Sequence, residues 1–190
     1  MTATAQALLA GEVLDVAPAL LGWTLTVDGV GGPLVEVEAY REDDPASHSF
    51  GGPRGRNRVM FGPPGRLYVY RAYGVHWCAN LVTGPEGHGA AVLLRALEPR
   101  HGIEQMRRRR GQADDRLLCS GPGRLAQALG LTGGDDGAPI GSGRIALHPP
   151  ERAGCIEVRT TRRIGITKAA DRRWRYLVAG SRFVSRPGFR

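Results

Sequence analysis

The stretch Leu34-Val35-Glu36-Val37-Glu38-Ala39-Tyr40 alternates side-chain character from residue to residue, the period of a β-strand and not of a helix. Val35, Val37 and Ala39 face one way, and Glu36, Glu38 and Tyr40 face the other. Residues 23–27 alternate too, and Asp28-Gly29 between the two runs is a turn signal. The pair therefore reads as a hairpin, interrupted by Gly31-Gly32-Pro33. Downstream, residues 67–72 and 75–82 are rich in aromatic and β-branched side chains, and a turn over 84–89 leads to a nearly continuous apolar strand over 90–97. Residues 144–147, 156–161, 174–178 and 183–185 read as further strands. Short helices are expected over 16–21, capped by Asp15 and stopped by Gly22, over 102–110, closed by Gly111, and over 122–129, opening on Pro122 and closing on Gly130. Strands come first with helices inserted among them, so the class is α+β with a largely antiparallel sheet. Residues 41–65 hold no period and are dense in Gly, Pro and Asp, which marks a functional or disordered loop.

The chain has 190 residues, room for one domain with a real core, and no internal repeat or low-complexity linker divides it. With 42% hydrophobic and 23% charged residues it is not a core-poor disordered chain. No apolar run approaches the ~20 residues of a membrane helix, so a soluble protein is expected. Residues 1–10 are small and apolar but lack a basic leader and run into Glu12 and Asp15, against a secretory signal. Cys78, Cys119 and Cys155 form neither a disulfide framework nor a CxxC knuckle, which suits a reducing cytoplasm. The net charge is +8, and Lys168 is the sole lysine, so every other basic residue is arginine. A GC-rich coding bias and a need for forked phosphate recognition both account for that choice. Residues 159–190 carry ten basic residues against the single acid Asp171, and Arg107–Arg110 is an unbroken basic run. Such clustering attracts polyanions, nucleic acid above all, although a basic patch can also be a solvated face.

Two carboxylates and a phenol on one strand face lie roughly 6.6 Å apart in succession, the span of one small ligand. The same pattern also describes a solvent-exposed strand face. Tyr68 and Tyr70 share a face, and Tyr73 comes just before Gly74, where the chain must turn. Three tyrosines so close together suit base stacking or ordinary aromatic packing. Asn80 and Arg95 interrupt apolar strands, and burying either without a partner is costly, so each must face a cleft, water or a counter-charge. Glu38 is the expected counter-charge of Arg95. Residues 118–123 end where a helix starts, a place for a phosphate or an ordinary capped start. The five histidines, His48, His76, His88, His101 and His148, show no metal-ligand spacing, so no metal is expected. No Walker loop, GxSxG elbow or dinucleotide fingerprint is present, so no cofactor is expected and any hydrolysis would rest on carboxylates.

Taken together, residues 35–40, Asp44-Pro45-Ala46-Ser47-His48-Ser49, Arg56-Asn57-Arg58-Val59-Met60-Phe61, 65–80, 92–99, Leu118-Cys119-Ser120-Gly121-Pro122 and 180–185 resemble the alkyladenine (3-methyladenine) DNA glycosylase family, in the family's order and over nearly the whole chain. The resemblance implies a single domain over residues 1–190, with a flexible start over 1–13 and a curved, largely antiparallel β-sheet core flanked by short helices. It implies hydrolysis of the N-glycosidic bond of damaged purines in double-stranded DNA by a monomer in the cytoplasm, associated with the nucleoid and away from membranes. Glu38 matches the family's general base and Arg95 an arginine beside the attacking water. Tyr40, Ala46, His48 and Tyr70 match residues enclosing the extruded base, Asn80 the position that crowds guanine's amine, and Tyr73 the wedge that fills the vacated stack. Arg54, Arg56 and Arg58 match the loop that binds DNA. Departures are the Arg54-Gly55 pair where relatives often carry Thr-Pro, a loop between His48 and Asn57 about one residue short, and Arg71-Ala72 in place of apolar residues. A non-catalytic nucleic-acid-binding protein on the same fold is the alternative, and a glycoside hydrolase using Glu36 and Glu38 a more distant one, since neighbours on one strand face flank a sugar bond poorly.

Overall fold

In a computed structural model that describes residues 2–150 and 156–185, Asp28 and Gly29 close a two-residue hairpin between β1 (Thr24–Val27) and β2 (Val30–Tyr40). Both turn residues have positive φ, 51° and 75°, as this turn requires. Gly31-Gly32-Pro33 does not interrupt β2, which runs through all three. The two glycines are there for close approach: a Cβ on Gly31 would sit 1.9 Å from the Leu25 carbonyl oxygen, and one on Gly32 1.9 Å from that of Glu98.

β2 is the spine of the sheet. Its first half pairs with β1, and its second half lies between β5 (Ala91–Leu97) and β8 (Arg175–Val178). β3 (Leu67–Ala72) and β4 (His76–Val82) extend the sheet beyond β5, β6 (Ile145–His148) pairs with β1, and β7 (Val158–Thr161) pairs with β8. Every pairing is antiparallel, so the structure is a single α+β domain built on a curved antiparallel sheet. The register shifts twice between Leu34 and Val37 against β5, irregularities of the kind that re-aim side chains near a site.

Four short helices supply the other layer: α1 (Ala3–Leu9), α2 (Val13–Ala19), α3 (Ile103–Arg110) and α4 (Pro122–Leu129). Leu9, Val16, Met106, Leu125 and Leu129 join Val37, Ala39, Leu94 and Leu81 in one buried cluster. The helices thus cover the apolar face of the strands and leave the Glu36–Glu38 face for other uses.

Several elements depart from expectation. Residues 3–9, part of the stretch read as a flexible start, form α1 with Ala5 and Leu9 fully buried. α2 begins at Val13, which puts Asp15 in its first turn and Pro18 in its last. The loop over 41–65 contains a 3-10 turn, Gly55–Phe61. Residues 183–185 are not a strand; Phe183 plugs a small cluster with Val35 and Ala96. Cys78 and Cys119 are free and buried, and Cys155 lies outside the described residues. No helix among the described residues is long and apolar enough to cross a membrane.

Candidate active site

A cavity of about 360 Å³ opens beside β3, lined by Tyr40, Ala46, His48, Arg56, Tyr70, Tyr73 and Asn80 among others. The strand period places its aromatic wall: Tyr68 and Tyr70 share a face and stack with ring centroids 5.5 Å apart. His48 meets the edge of Tyr70 at 4.5 Å and its Nδ1 hydrogen-bonds the Tyr68 hydroxyl at 2.9 Å. Burial and the nearby Arg56 charge hold the His48 imidazole below its ordinary pKa, which favours the neutral ring. Asn57 pins the loop beneath, donating from Nδ2 to the His48 carbonyl at 2.7 Å and accepting from the Arg54 N–H at 2.5 Å. Across the hairpin from Tyr68, Asn80 donates to the Tyr68 carbonyl at 3.0 Å, which fixes its amide at the wall. Tyr68, singled out with the other tyrosines but given no role, also lines the cavity, as do Met60, Gly165 and Ile166, which were not foreseen as site residues.

Glu38 and Arg95 do not line the cavity. They lie next to it, joined through Tyr40, whose hydroxyl donates to Glu38 Oε2 at 2.9 Å. The Glu36–Glu38 face is not solvent-exposed: both carboxylates are fully buried, as are nearly all of Arg95 and Arg175. Arg95 does reach Glu38, Nη1 to Oε2 at 3.3 Å, but its shorter bond runs from Nε to Glu36 Oε1 at 2.8 Å. Glu36 also accepts from Arg175 Nε at 2.7 Å, the Ser185 N–H at 2.5 Å and Ser185 Oγ at 2.7 Å. Three of these four donors crowd Oε1 and one, the Ser185 N–H, reaches Oε2. Glu38 accepts two, from Tyr40 on Oε2 and from the Ile164 N–H on Oε1 at 2.8 Å, beside its ion pair with Arg95.

Burial alone would raise the Glu36 pKa, but Arg95, the Ser185 N–H and Arg175 outweigh it and hold the group below its ordinary value. At Glu38 burial wins over Arg95 and the hydrogen bonds, and its pKa is raised. Basic surroundings thus dominate at Glu36, and burial at Glu38. Burial, with the Glu38 charge, also keeps the Tyr40 phenol protonated, so it stays a donor. Arg175 was missed, although an arginine in an apolar strand is the same signal that singled out Arg95.

Tyr73 stands at the tip of the β3–β4 hairpin, 90% exposed and with φ of 51°. That excludes ordinary packing. Arg54, the N-cap of the 3-10 segment, and Arg56 and Arg58 on it are exposed, and Arg56 lines the cavity. By contrast, the Arg107–Arg110 run is largely committed to the fold: Arg107 pairs with Glu104 and Asp115, Arg109 donates to the Ala128 carbonyl and Arg110 to that of Leu118. At the start of α4 the N-cap, Gly121, makes no side-chain cap hydrogen bond, and its N–H bonds the Arg95 carbonyl at 2.9 Å. Among the described residues no three His, Cys, Asp or Glu group as metal ligands.

Comparison with known proteins follows the same lines. The family model described as methylpurine-DNA glycosylase (MPG) matches residues 7–182. A protein of Rhodopseudomonas palustris (strain CGA009) is 57% identical over 178 residues, 94% of this chain and 85% of its own length. One of Nitrosospira multiformis is 57% identical over 174 residues, 92% of this chain and 89% of its own. Both carry the provisional name 3-methyladenine DNA glycosylase. The chain belongs to the methylpurine-DNA glycosylase family and is, with it, a DNA glycosylase, a hydrolase of N-glycosyl bonds.

Proposed function

We propose that this protein excises damaged purines of the 3-methyladenine, 7-methylguanine or hypoxanthine type from duplex DNA, extruding the base into the cavity beside β3 and hydrolysing its bond to the sugar with a water activated by Glu38. The observation that carries this reading is the unequal state of the two carboxylates. Glu36 takes four donors from two arginines and Ser185 and is held acidic, so it lacks the basicity to take a proton. Glu38 accepts one hydrogen bond on each oxygen beside its ion pair with Arg95 and is made more basic by burial, as a general base requires. The water oxygen bonds to C1′, its proton passes to Glu38, and the electrons of the glycosidic bond leave with the purine, giving an abasic site. A glycoside hydrolase with Glu36 and Glu38 as a working pair does not fit this division.

The remaining groups take the roles their positions suit. A base must leave the stack to be reached, at a cost of a few kcal/mol, and Tyr73, unpacked at its hairpin tip, is placed to fill the gap as an aromatic wedge. N-alkylated purines are cationic, and the π faces of Tyr40 and Tyr70 with the neutral His48 ring favour an electron-poor guest. Ala46 gives the cavity a small wall, and the fixed Asn80 amide crowds a guanine amine. Arg54, Arg56 and Arg58 supply salt-dependent phosphate contacts. Lys168, the sole lysine, is not among the cavity residues, so a water-based, monofunctional reaction without strand cleavage is expected, by a monomer acting on cytoplasmic DNA. The test is a duplex with one 7-methylguanine or one hypoxanthine, treated with alkali after incubation: breakage at the lesion supports the reading. A protein that only binds nucleic acid would give no product with any lesion.

A further inference from the structure

Against the Tyr40 ring lies an ion pair that the reaction as described does not use. Asp44 and Arg163 are both fully buried. The two guanidinium arms grip the carboxylate, Nη2 to Oδ1 at 3.1 Å and Nη1 to Oδ2, while Nη1 also donates to the Ala39 carbonyl at 3.1 Å. The Arg163 fork lies between two aromatic rings, 4.5 Å from the Tyr40 centroid and 5.2 Å from that of Trp174. Arg172 covers the same Trp174 ring at 4.5 Å and approaches Asp44 at 3.9 Å. Nothing anchors through Arg163 Nε, which has no hydrogen-bond partner, so the grip is carried by the fork. Replacing a buried ion pair by apolar residues is often neutral or stabilising, so stability alone is a poor reason for this one.

Its chain neighbours suggest a better reason. Asp44 Oδ1 accepts from the Ala46 N–H at 3.2 Å, two residues before His48. Arg163 immediately precedes Ile164, whose N–H donates to Glu38 Oε1 at 2.8 Å, and Gly165 and Ile166 line the cavity. We propose that Asp44 and Arg163 are a positioning pair, a clamp that locks the loop bearing Ala46 and His48 to the segment bearing Ile164 and so holds the Ile164 N–H against Glu38. This rests on Glu38 being the general base. The other groups facing Glu38 are Arg95 on β5, Tyr70 on β3, Arg175 on the adjoining β8, and Glu36 and Tyr40 on β2 itself. Asp44 faces Arg163 and Arg172, with Arg41 on its own loop. Of these contacts the clamp bears on two, the Ile164 N–H through the adjoining chain and Tyr40 through the guanidinium on its ring.

The test is single-turnover excision of hypoxanthine from duplex DNA across about pH 5.5 to 9, with Asp44→Asn and Arg163→Lys beside the wild type. A carboxylate that loses a hydrogen-bond donor becomes harder to ionise. The acidic limb of the rate should therefore move up by about one pH unit in Asp44→Asn, with the rate below the limb reduced roughly 10- to 100-fold. Arg163→Lys, which keeps the charge without the fork, should shift the limb less, and carries the test alone if Asp44→Asn does not fold. Folded variants whose limb stays in place, or whose rate falls by one factor at every pH, overturn the clamp. Full activity in Glu38→Gln would overturn the assignment of the base itself, so the two failures are distinguishable.

Discussion

Glu36 and Glu38, two residues apart on one face of β2, share Arg95 unequally: its Nε lies 2.8 Å from Glu36 and its Nη1 3.3 Å from Glu38. The nearer carboxylate also takes Arg175 and both donors of Ser185. One strand face thus carries two carboxylates in different states, with the arginine between them as the common anchor.

Removing each carboxylate should have opposite effects on stability. Glu36→Gln leaves Arg95 and Arg175 buried without their main counter-charge and is expected to cost about 3–5 kcal/mol. Glu38→Gln removes a charge that burial disfavours while Glu36 still holds Arg95, so its melting temperature at pH 7–8 should equal or exceed that of the wild type. Calorimetry of the two variants decides it. A Glu38→Gln protein less stable than Glu36→Gln would contradict the division.

The same division fixes the sign of the acid response. The Glu36 pKa is lowered on folding, so its contribution is fully present above its ordinary value and is lost as the pH falls through the folded value. The Glu38 pKa is raised, so folding is disfavoured as the pH rises from its ordinary value through the folded one. Denaturant titrations at stepped pH should therefore show acid lability that Glu36→Gln diminishes and Glu38→Gln does not.

Tyr73 holds a left-handed backbone that a non-glycine residue adopts only at some cost, and its side chain is in water. Tyr73→Gly should leave stability unchanged or raise it by about 1 kcal/mol. Tyr73→Ala should weaken binding to lesion-bearing duplex more than to undamaged duplex. Equal losses on the two DNAs would show that Tyr73 is not a wedge.

His48 should titrate below its ordinary value, because burial and then the Arg56 charge disfavour its cationic form. Removing that charge in Arg56→Ala must raise the pKa, which an NMR titration of the imidazole would follow. An unchanged midpoint would mean that Arg56 does not act on the ring.

Much of this was legible from residue pattern. Alternation located β1 and β2, aromatic and β-branched content β3 and β4, and a nearly continuous apolar run β5, while turn chemistry closed the first hairpin and Gly111 and Gly130 ended the helices where expected. Arg95 and Asn80 stood out because polar groups in apolar strands must be answered by something. What answers them was not legible. Glu36 takes the closer bond because the register of β2 slips against β5, and slips leave no mark on an alternating sequence. Arg175 and Ser185 arrive from about 140 residues downstream, as does the Ile164 N–H on Glu38, and a backbone donor has no residue-type signature. The Arg107–Arg110 run looked like a polyanion surface, yet most of it fastens α3 to its surroundings, since charge counts do not reveal partners.

The most direct measurement is excision from a duplex carrying one hypoxanthine by wild-type protein and by Glu38→Gln, read as alkali-labile breaks, with binding of the same duplex measured in parallel. The account predicts breaks with the wild type, none with Glu38→Gln, and retained binding by the variant. Breaks at the wild-type rate with Glu38→Gln would contradict it.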